Sequence, residues 1–322
     1  MSVKSDAAVF LEQNRGRIVS GQELANRLGV TRAAVSKAVK ALREEGYRIS
    51  AAPNRGYILE QESDVLSEEG IRMMLADKHR SLPLKVYKSI DSTNNEAKRF
   101  AMLGAPHGTV IAADSQTNGR GRRGNSFYSP AGTGLYMSVV LRPEKPLSDC
   151  TYTTIAAADA LADTIEELTD CEPKIKWVND IIVNDRKVCG ILTEAVSDIE
   201  SGMAEVVIVG VGLNVTTEDF PPEIARTAGS LCCSATRNSL AAGIISRIME
   251  YTRSADSRAL LDSYRSRSAI LGETVSFTRD GEKITALASG IDDNGSLIVQ
   301  TANGTERLRS GEISIVRNKI NG

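Results

Sequence analysis

The chain has 322 residues, of which 41% are hydrophobic and 25% charged, and it carries a formal net charge of -2. That length exceeds one average core and points to two or three domains, while the composition excludes an extensively disordered chain. Near-neutrality excludes a global basic field, and the longest apolar run, Val206 to Val215, is short and glycine-broken, which excludes a helical membrane span.

These properties predict a cytoplasmic protein. The five cysteines (Cys150, Cys171, Cys189, Cys232, Cys233) lack C-x-x-C spacing, so they are expected to be reduced and packed as small apolar groups, with no metal site.

In chain order, the N-terminal segment reads as short helices followed by a hairpin. In SGQELANRLG, Ser20 and Glu23 form an S-x-x-E capping box, and Gly29 stops the helix. A second helix starts with Thr31 as N-cap and places Val35, Ala38, Val39 and Leu42 in one narrow arc. Lys37 and Lys40 fall on the opposite side, flanked by Arg32, Ser36 and Arg43. YRISAAPNRGYIL then reads as strand, Pro-Asn-Arg-Gly turn and strand, the wing of a winged helix-turn-helix.

Between Arg15 and Arg55 nine Lys and Arg face three Glu, a local excess of six positive charges hidden in the global average. Sparse aromatics favour major-groove docking over stacking on single strands. Thr31, Arg32, Ser36, Lys37, Lys40 and Arg55 are the candidate DNA-binding residues. QESDVLSEEG, residues 61 to 70, reads as a polar linker that ends a first domain at residue 64.

From residue 65 to 270 strands and helices mix. LKVYKSI, TVIAAD, GLYMSVVLRP, KIKWVND, KVCGILTEA and AEVVIVGVGLNV read as strands or strand-turn units, and TYTTIAAADALADTIEEL and SLAAGIISRIMEYT as amphipathic helices. A hairpin around DRK favours a mixed sheet with helices on one face. From 271 to 322 short strands separated by RDGE, DDNG and TANGT turns predict a small SH3-like β-barrel. The fold class is therefore α+β in three units: 1–64, 65–270 and 271–322.

Within the central unit, NGRGRRGNSF matches G-x-G-x-x-G at Gly119, Gly121 and Gly124. A strand precedes it, but NSFYSP is no helix start, so the dinucleotide reading fails on context. The chain also lacks G-x-x-x-x-G-K-[ST]. Backbone N–H groups and the forks of Arg120, Arg122 and Arg123 can still wrap phosphate oxygens, although a basic loop standing alone could equally be a solvated surface. It does not stand alone: DSTNNEAKRF precedes it, and IKWVNDIIVNDRKVCGIL follows with the only tryptophan, Trp177.

S-T-N at a helix start, then Q-x-x-G-R-G-R-R-G, K-W-x-N-D, D-R-K-x-x-G-I-L-x-E and G-x-G-x-N, in that order, resemble the biotin protein ligases. The fused winged helix is similar to the bifunctional subgroup, which ligates biotin and represses the biotin operon. The resemblance implies a central domain like class II synthetases. It also implies biotin contacts from Ser92, Thr93, Asn94, Gln116, Gly119, Arg120, Gly121, Arg122, Lys187 and Gly190, and nucleotide contacts from Arg122, Arg123, Phe127, Asn179, Lys187 and Asn214. The resemblance further implies catalysis by Arg122, Lys187 and Asp180, with Asp180 either a partner for the incoming lysine amine or a structural residue.

The implied substrates are biotin and MgATP, with biotinyl-5'-AMP as both intermediate and corepressor. The implied partners are a biotin carboxyl carrier protein domain, inverted-repeat operator DNA and a second copy of the chain when the adenylate is bound, with no membrane. A ligand-sensing DNA-binding repressor without ligase activity is the alternative, and the retention of Arg120, Arg122, Lys187 and K-W-x-N-D argues against it. Three positions depart from the family pattern: Val178 replaces a turn-stiffening proline, Asn125 removes one cation, and Phe127 keeps an aromatic face for adenine without an N–H donor.

Overall fold

The computed structural model describes residues 2–52, 55–143, 150–197, 204–253 and 257–316. Three helices, α1 (Val3–Gln13), α2 (Gly21–Leu28) and α3 (Arg32–Glu44), precede a hairpin of β1 (Ile49–Ala52) and β2 (Gly56–Leu59). Ser20 Oγ accepts the Glu23 N–H at 3.0 Å, Gly29 closes α2 at φ 65°, and Thr31 Oγ1 accepts the Ala34 N–H at 3.2 Å. Only half of the expected capping box forms, because the Glu23 carboxylate pairs with Arg17 at 2.6 Å. A charge-assisted bond outcompetes a neutral backbone donor. Val35, Ala38, Val39 and Leu42 form a core with Leu11, Leu24 and Leu59. Pro53 and Asn54 of the expected wing turn lie outside the described residues.

Residues 61–70 are not the slack linker that their polarity suggests. Ser63 is fully buried, Asp64 pairs with Arg237 at 2.9 Å, and Ser67 caps α4 (Glu68–Met74) by accepting the Gly70 N–H at 3.0 Å.

The central unit then runs β3 (Leu84–Tyr87), α5 (Thr93–Met102), β4 (Thr109–Ala113), β5 (Gly134–Leu141), α6 (Thr151–Leu168), β6 (Lys174–Lys176), β7 (Asp180–Val183), β8 (Arg186–Ser197), β9 (Ala204–Asn214), α7 (Arg237–Tyr251) and α8 (Ser257–Ser266). The sheet order is β3-β4-β5-β9-β8-β7-β6, with β3–β4 parallel and the other pairs antiparallel, so the sheet is mixed as expected. Its helices occupy both faces rather than one. The sequence periodicity of α6 and α7 is visible, but α5 covers the opposite face through Ala97 and Ala101 against Ile111, Val140 and Ile208. Burial on both faces explains why β4 and β5 read as continuous apolar runs.

The C-terminal unit is an antiparallel five-stranded sheet in the order β13-β12-β11-β10-β14, from β10 (Thr274–Arg279), β11 (Glu282–Ile291), β12 (Leu297–Thr301), β13 (Gly304–Leu308) and β14 (Ser314–Ile315). Its Val275, Leu297, Val299 and Ile313 join the same core as Trp177, Ile155 and Tyr264, so this unit is packed onto the central one. None of the described helices is long and apolar enough to cross a membrane.

Candidate active site

One cavity lies where the open end of α5, the Gly-Arg loop, the β6–β7 turn and the C-terminal unit converge. Its polar wall starts at α5. Ser92 stands at the N-cap position yet makes no cap bond; it is 1% exposed and lines the cavity instead. The Thr93 N–H donates to Gln116 Oε1 at 2.8 Å, and Gln116 Nε2 donates to Ser129 Oγ at 2.9 Å. Ser138 Oγ lies 2.9 Å from Thr93 Oγ1 and 2.6 Å from Asn94 Oδ1, while Asn94 Nδ2 donates to Glu194 Oε2 at 2.8 Å. Gly210 makes room for this: a Cβ there would come 2.0 Å from Asn94 Oδ1. Buried hydroxyls and amides held this way present fixed donors and acceptors to a polar ligand.

The loop folds as a small hairpin. The Phe127 N–H donates to Gly119 O at 2.9 Å, the Gly121 N–H to Asn125 O at 2.7 Å, and Arg120 bridges Ser126. At its tip Arg123 and Gly124 take φ 56° and 81°, a left-handed pair that reverses the chain without any helix behind it. Gly119 does not line the cavity; it lets the hairpin close, since a Cβ would sit 2.3 Å from Phe127 O.

The arginines diverge. Arg120 turns to Asn95 Oδ1 at 2.9 Å and Glu194 at 3.5 Å. Arg122 points inward to Asn179 Oδ1 at 3.1 Å and Gly311 O at 3.4 Å, and Arg123 is exposed at the rim. Burial, then the charge of Arg123, depresses the Arg122 pKa from its ordinary value. Burial pushes the Glu194 carboxyl up, but bonds from Lys98 and Asn94 and the charges of Lys98 and Arg120 leave it lowered.

The opposite wall is the turn between β6 and β7. Trp177, 2% exposed, donates its indole N–H to Gly295 O at 2.9 Å, and the Tyr264 hydroxyl donates to Val178 O at 3.1 Å. The peptide bond between Trp177 and Val178 is cis. Asn179 Nδ2 donates to Ile191 O at 3.0 Å. Asp180 pairs with Lys187 at 2.7 Å, and the Lys187 backbone is fixed by Thr227 O and the Gly229 N–H. Gly190 and Gly212 are register partners on β8 and β9, and Phe127 lies over them: a Cβ at Gly212 would come 2.6 Å from its ring.

Of the expected site residues, Ser92, Thr93, Asn94, Gln116, Arg120, Gly121, Arg122, Arg123, Phe127, Asn179, Asp180, Lys187 and Gly190 all line this cavity. Asn214 lines the adjoining groove with Phe127 and Lys187; its Nδ2 holds Gly229 O at 3.0 Å, while its buried Oδ1 has no hydrogen-bond partner among the described residues. Sequence reasoning missed Ser138, Gly210, Gly212 and Glu194, and also Gly311, Glu312 and Ile313 from the C-terminal unit. The two glycines carried a signal in G-x-G-x-N. The C-terminal residues carried none, because only docking brings them to the cavity.

None of the DNA-binding candidates lines this cavity; Arg32, Ser36, Lys37 and Lys40 are exposed along α3, with Thr31 at its start and Arg55 on the wing. Two other cations of this unit are paired internally, Arg15 with Glu12 at 2.6 Å and Arg17 with Glu23, and Lys40 itself lies 4.0 Å from Glu44 one turn on.

Three family models match this chain: an HTH domain over residues 4–58, the Biotin/lipoate A/B protein ligase family over 86–214, and the Biotin protein ligase C terminal domain over 270–316. The Bifunctional ligase/repressor BirA of Bacillus subtilis is 34% identical over 98% of this chain and 99% of its own length. The Bifunctional ligase/repressor BirA of Escherichia coli is 27% identical over 93% and 94%. Among solved structures, the biotin protein ligase from Aquifex aeolicus in complex with biotin and ATP has a TM-score of 0.63 and 28% identity, covering 73% of this chain and 99% of that one.

Proposed function

The chain belongs to the biotin protein ligase family, and we infer from that membership and from its cavity how it acts. It is a bifunctional ligase and repressor: it activates biotin with MgATP to biotinyl-5'-AMP, transfers biotin to a lysine of a biotin carboxyl carrier protein, and represses transcription through its winged helix in response to biotin.

In the first half-reaction a biotin carboxylate oxygen attacks the α-phosphorus of ATP, and the bond to the departing pyrophosphate breaks. In the second the carrier lysine amine attacks the acyl carbon, releasing AMP and a proton. Neither half needs an enzymic nucleophile, so the burden is to hold two anions together. At about 4 Å and an effective dielectric of about 20, two unit charges repel by about 4 kcal/mol, so neutralisation decides the rate.

Arg122 and Lys187 supply that neutralisation from opposite walls of the cavity, and we assign catalysis to them with Asp180. Ser92, Thr93, Asn94 and Gln116 bind the ureido end of biotin, where each unsatisfied polar group would cost about 1–3 kcal/mol. Arg120, Gly121 and Gly190 line its path, with Gly119 as the spacer of the hairpin. Arg123, Phe127, Asn179 and Asn214 face the nucleotide. Phe127 gives adenine an aromatic face, and the Asn214 Oδ1 is free to accept from a ligand donor. Magnesium enters with the ATP phosphates; it favours one or two carboxylates beside substrate oxygens, and Asp180 and Glu312 line the cavity.

The observation that carries this reading is the continuity of one cavity from the hydroxyl and amide cluster on α5 to the cations of the loop and β8. Biotin-dependent release of pyrophosphate from ATP tests it; biotin binding without that release would leave a ligand sensor.

Residues 1–64 form the DNA-binding unit, 65–270 the catalytic unit and 271–322 the C-terminal unit. The protein works in the cytoplasm. With adenylate bound it forms a homodimer whose two winged helices span an inverted-repeat operator through Thr31, Arg32, Ser36, Lys37, Lys40 and Arg55. Abundant unbiotinylated carrier consumes the adenylate and lifts repression.

A further inference from the structure

Arg237, the first residue of α7, is almost wholly buried, its side chain 4% exposed, and it grips three separate pieces of chain. Its Nε and Nη2 donate to Asp64 Oδ2 at 2.9 Å and to Asp64 O at 2.6 Å, and its backbone N–H to Asp64 Oδ1 at 2.9 Å. Its Nη1 lies 2.5 Å from Asp114 Oδ1 and 3.3 Å from Gly134 O. Asp114 and Gly134 are the two ends of the segment that carries the Gly119–Phe127 hairpin. The same Asp114 Oδ1 also accepts the Gly132 N–H at 3.1 Å, drawing those ends together. Two residues beyond Asp114 is Gln116, which fixes Thr93 in the polar wall.

The other side of this joint belongs to the winged helix. Ser63, fully buried, is held by Arg15 Nη1 through its carbonyl at 2.6 Å and by the Arg48 N–H through its hydroxyl at 3.1 Å. One peptide bond therefore separates a residue locked into the DNA-binding unit from a residue locked onto Arg237. Asn238 reinforces the seam, donating to Val65 O at 2.9 Å and accepting the Ser67 N–H at 3.1 Å. A tether needs none of this; a flexible polar segment would keep two domains on one chain. A buried fork between two carboxylates fixes a relative orientation, and it does so at the base of the ligand loop.

We infer that Arg237 is a positioning residue for ligand-dependent DNA binding, joining the base of the loop over the cavity to the pose of the winged helix. The inference rests on the reading of the chain as a ligase and biotin-responsive repressor. Closure of the hairpin on the adenylate and the setting of α3 then share one joint, so a ligand that favours one arrangement of the loop favours one pose of the DNA-binding unit. Such coupling between sites is reciprocal and commonly spans about 5- to 150-fold in affinity.

The test uses the full-length chain and a duplex selected by the wild-type protein from a random pool in the presence of biotin and MgATP. The readout is the ratio of DNA affinities with and without biotin and MgATP at one fixed salt concentration. The wild-type ratio should be about tenfold or more, and Asp64→Asn should bring it below about threefold while kcat and the KM for biotin in carrier biotinylation stay within about threefold. Asp64→Asn preserves shape and leaves the Arg237 contacts to Asp114 and Gly134 in place. Arg237→Lys, which keeps the charge and loses the fork, should give the same loss of ratio. A wild-type ratio in Asp64→Asn overturns the inference, and so does a kcat that falls in step with the ratio, since the cluster would then only hold the fold. A wild-type chain with no ratio but normal ligase activity would overturn the repressor reading and this inference with it.

Discussion

Lys187 Nζ lies 2.7 Å from Asp180 Oδ1 across the β7–β8 hairpin, in the cavity where Arg122 reaches Asn179, the neighbour of Asp180. Lys187 is 40% exposed at its side chain but Asp180 only 17%, so the lysine also balances a largely buried carboxylate. On the proposed assignment its charge acts in the reaction. Lys187→Met should lower kcat for biotin-dependent pyrophosphate release by about 10²–10³, in the range of losing one preorganised donor to developing charge. Asp180→Asn separates its two possible roles: slower transfer from preformed biotinyl-5'-AMP than slower adenylation marks it as a partner of the lysine amine, and equal slowing marks it as the positioner of Lys187.

Two glycines on β9 should divide the substrates. A Cβ at Gly210 would come 2.0 Å from Asn94 Oδ1, and one at Gly212 would come 2.6 Å from the Phe127 ring. Gly210→Ala displaces the polar wall and should raise the KM for biotin about tenfold, the equivalent of about one lost hydrogen bond, while Gly212→Ala should raise the KM for ATP instead. Steady-state kinetics with each substrate varied in turn checks the split.

The bond from the Trp177 indole to Gly295 O joins the β6–β7 turn to the C-terminal unit. Trp177→Phe keeps an aromatic ring and loses the donor, leaving a buried carbonyl unpaired at a cost of about 1–3 kcal/mol. Chemical denaturation should register that loss. Turnover should fall as well, because Gly311, which anchors Arg122, belongs to the same docked unit.

Asp159 on α6 is fully buried, and burial pushes its carboxyl up to about 7 against a bond from Ser263 and the nearby Arg267 charge. The unfolded carboxyl titrates near 3.8. Between these values the folded chain holds a proton that the unfolded chain has released, so stability from this group falls as pH rises through that window and is fully lost above about 7. Asp159→Asn should therefore gain stability relative to the parent as pH rises from about 4 to about 7, with a constant difference above that. A pH-independent difference in denaturation midpoints would contradict this.

What was legible in the sequence was what neighbours in sequence decide. Ser20, Gly29 and Thr31 mark helix ends by local capping, and Asn184 and Asp185, both with positive φ, make the DRK hairpin tight. The sequence put no helix after the loop of three glycines, and residues 125–133 form none before β5. Asp64 was misread, since a polar residue in a polar run gives no sign of a buried arginine 173 positions later. The role of α5 in covering the second face was hidden for a similar reason: its small residues Ala97 and Ala101 carry little hydrophobic signal yet pack closely. Gly311 lines the cavity, and Gly295 holds Trp177, only through tertiary docking.

The most direct measurement incubates the purified chain with biotin, MgATP and a biotin carboxyl carrier domain and follows the acceptor lysine by mass spectrometry. One biotinyl group on that lysine, dependent on both small substrates and strongly reduced in Lys187→Met, is the result expected. An unmodified carrier, with no biotin-dependent pyrophosphate released by a folded, biotin-binding protein, would contradict the assignment of a ligase.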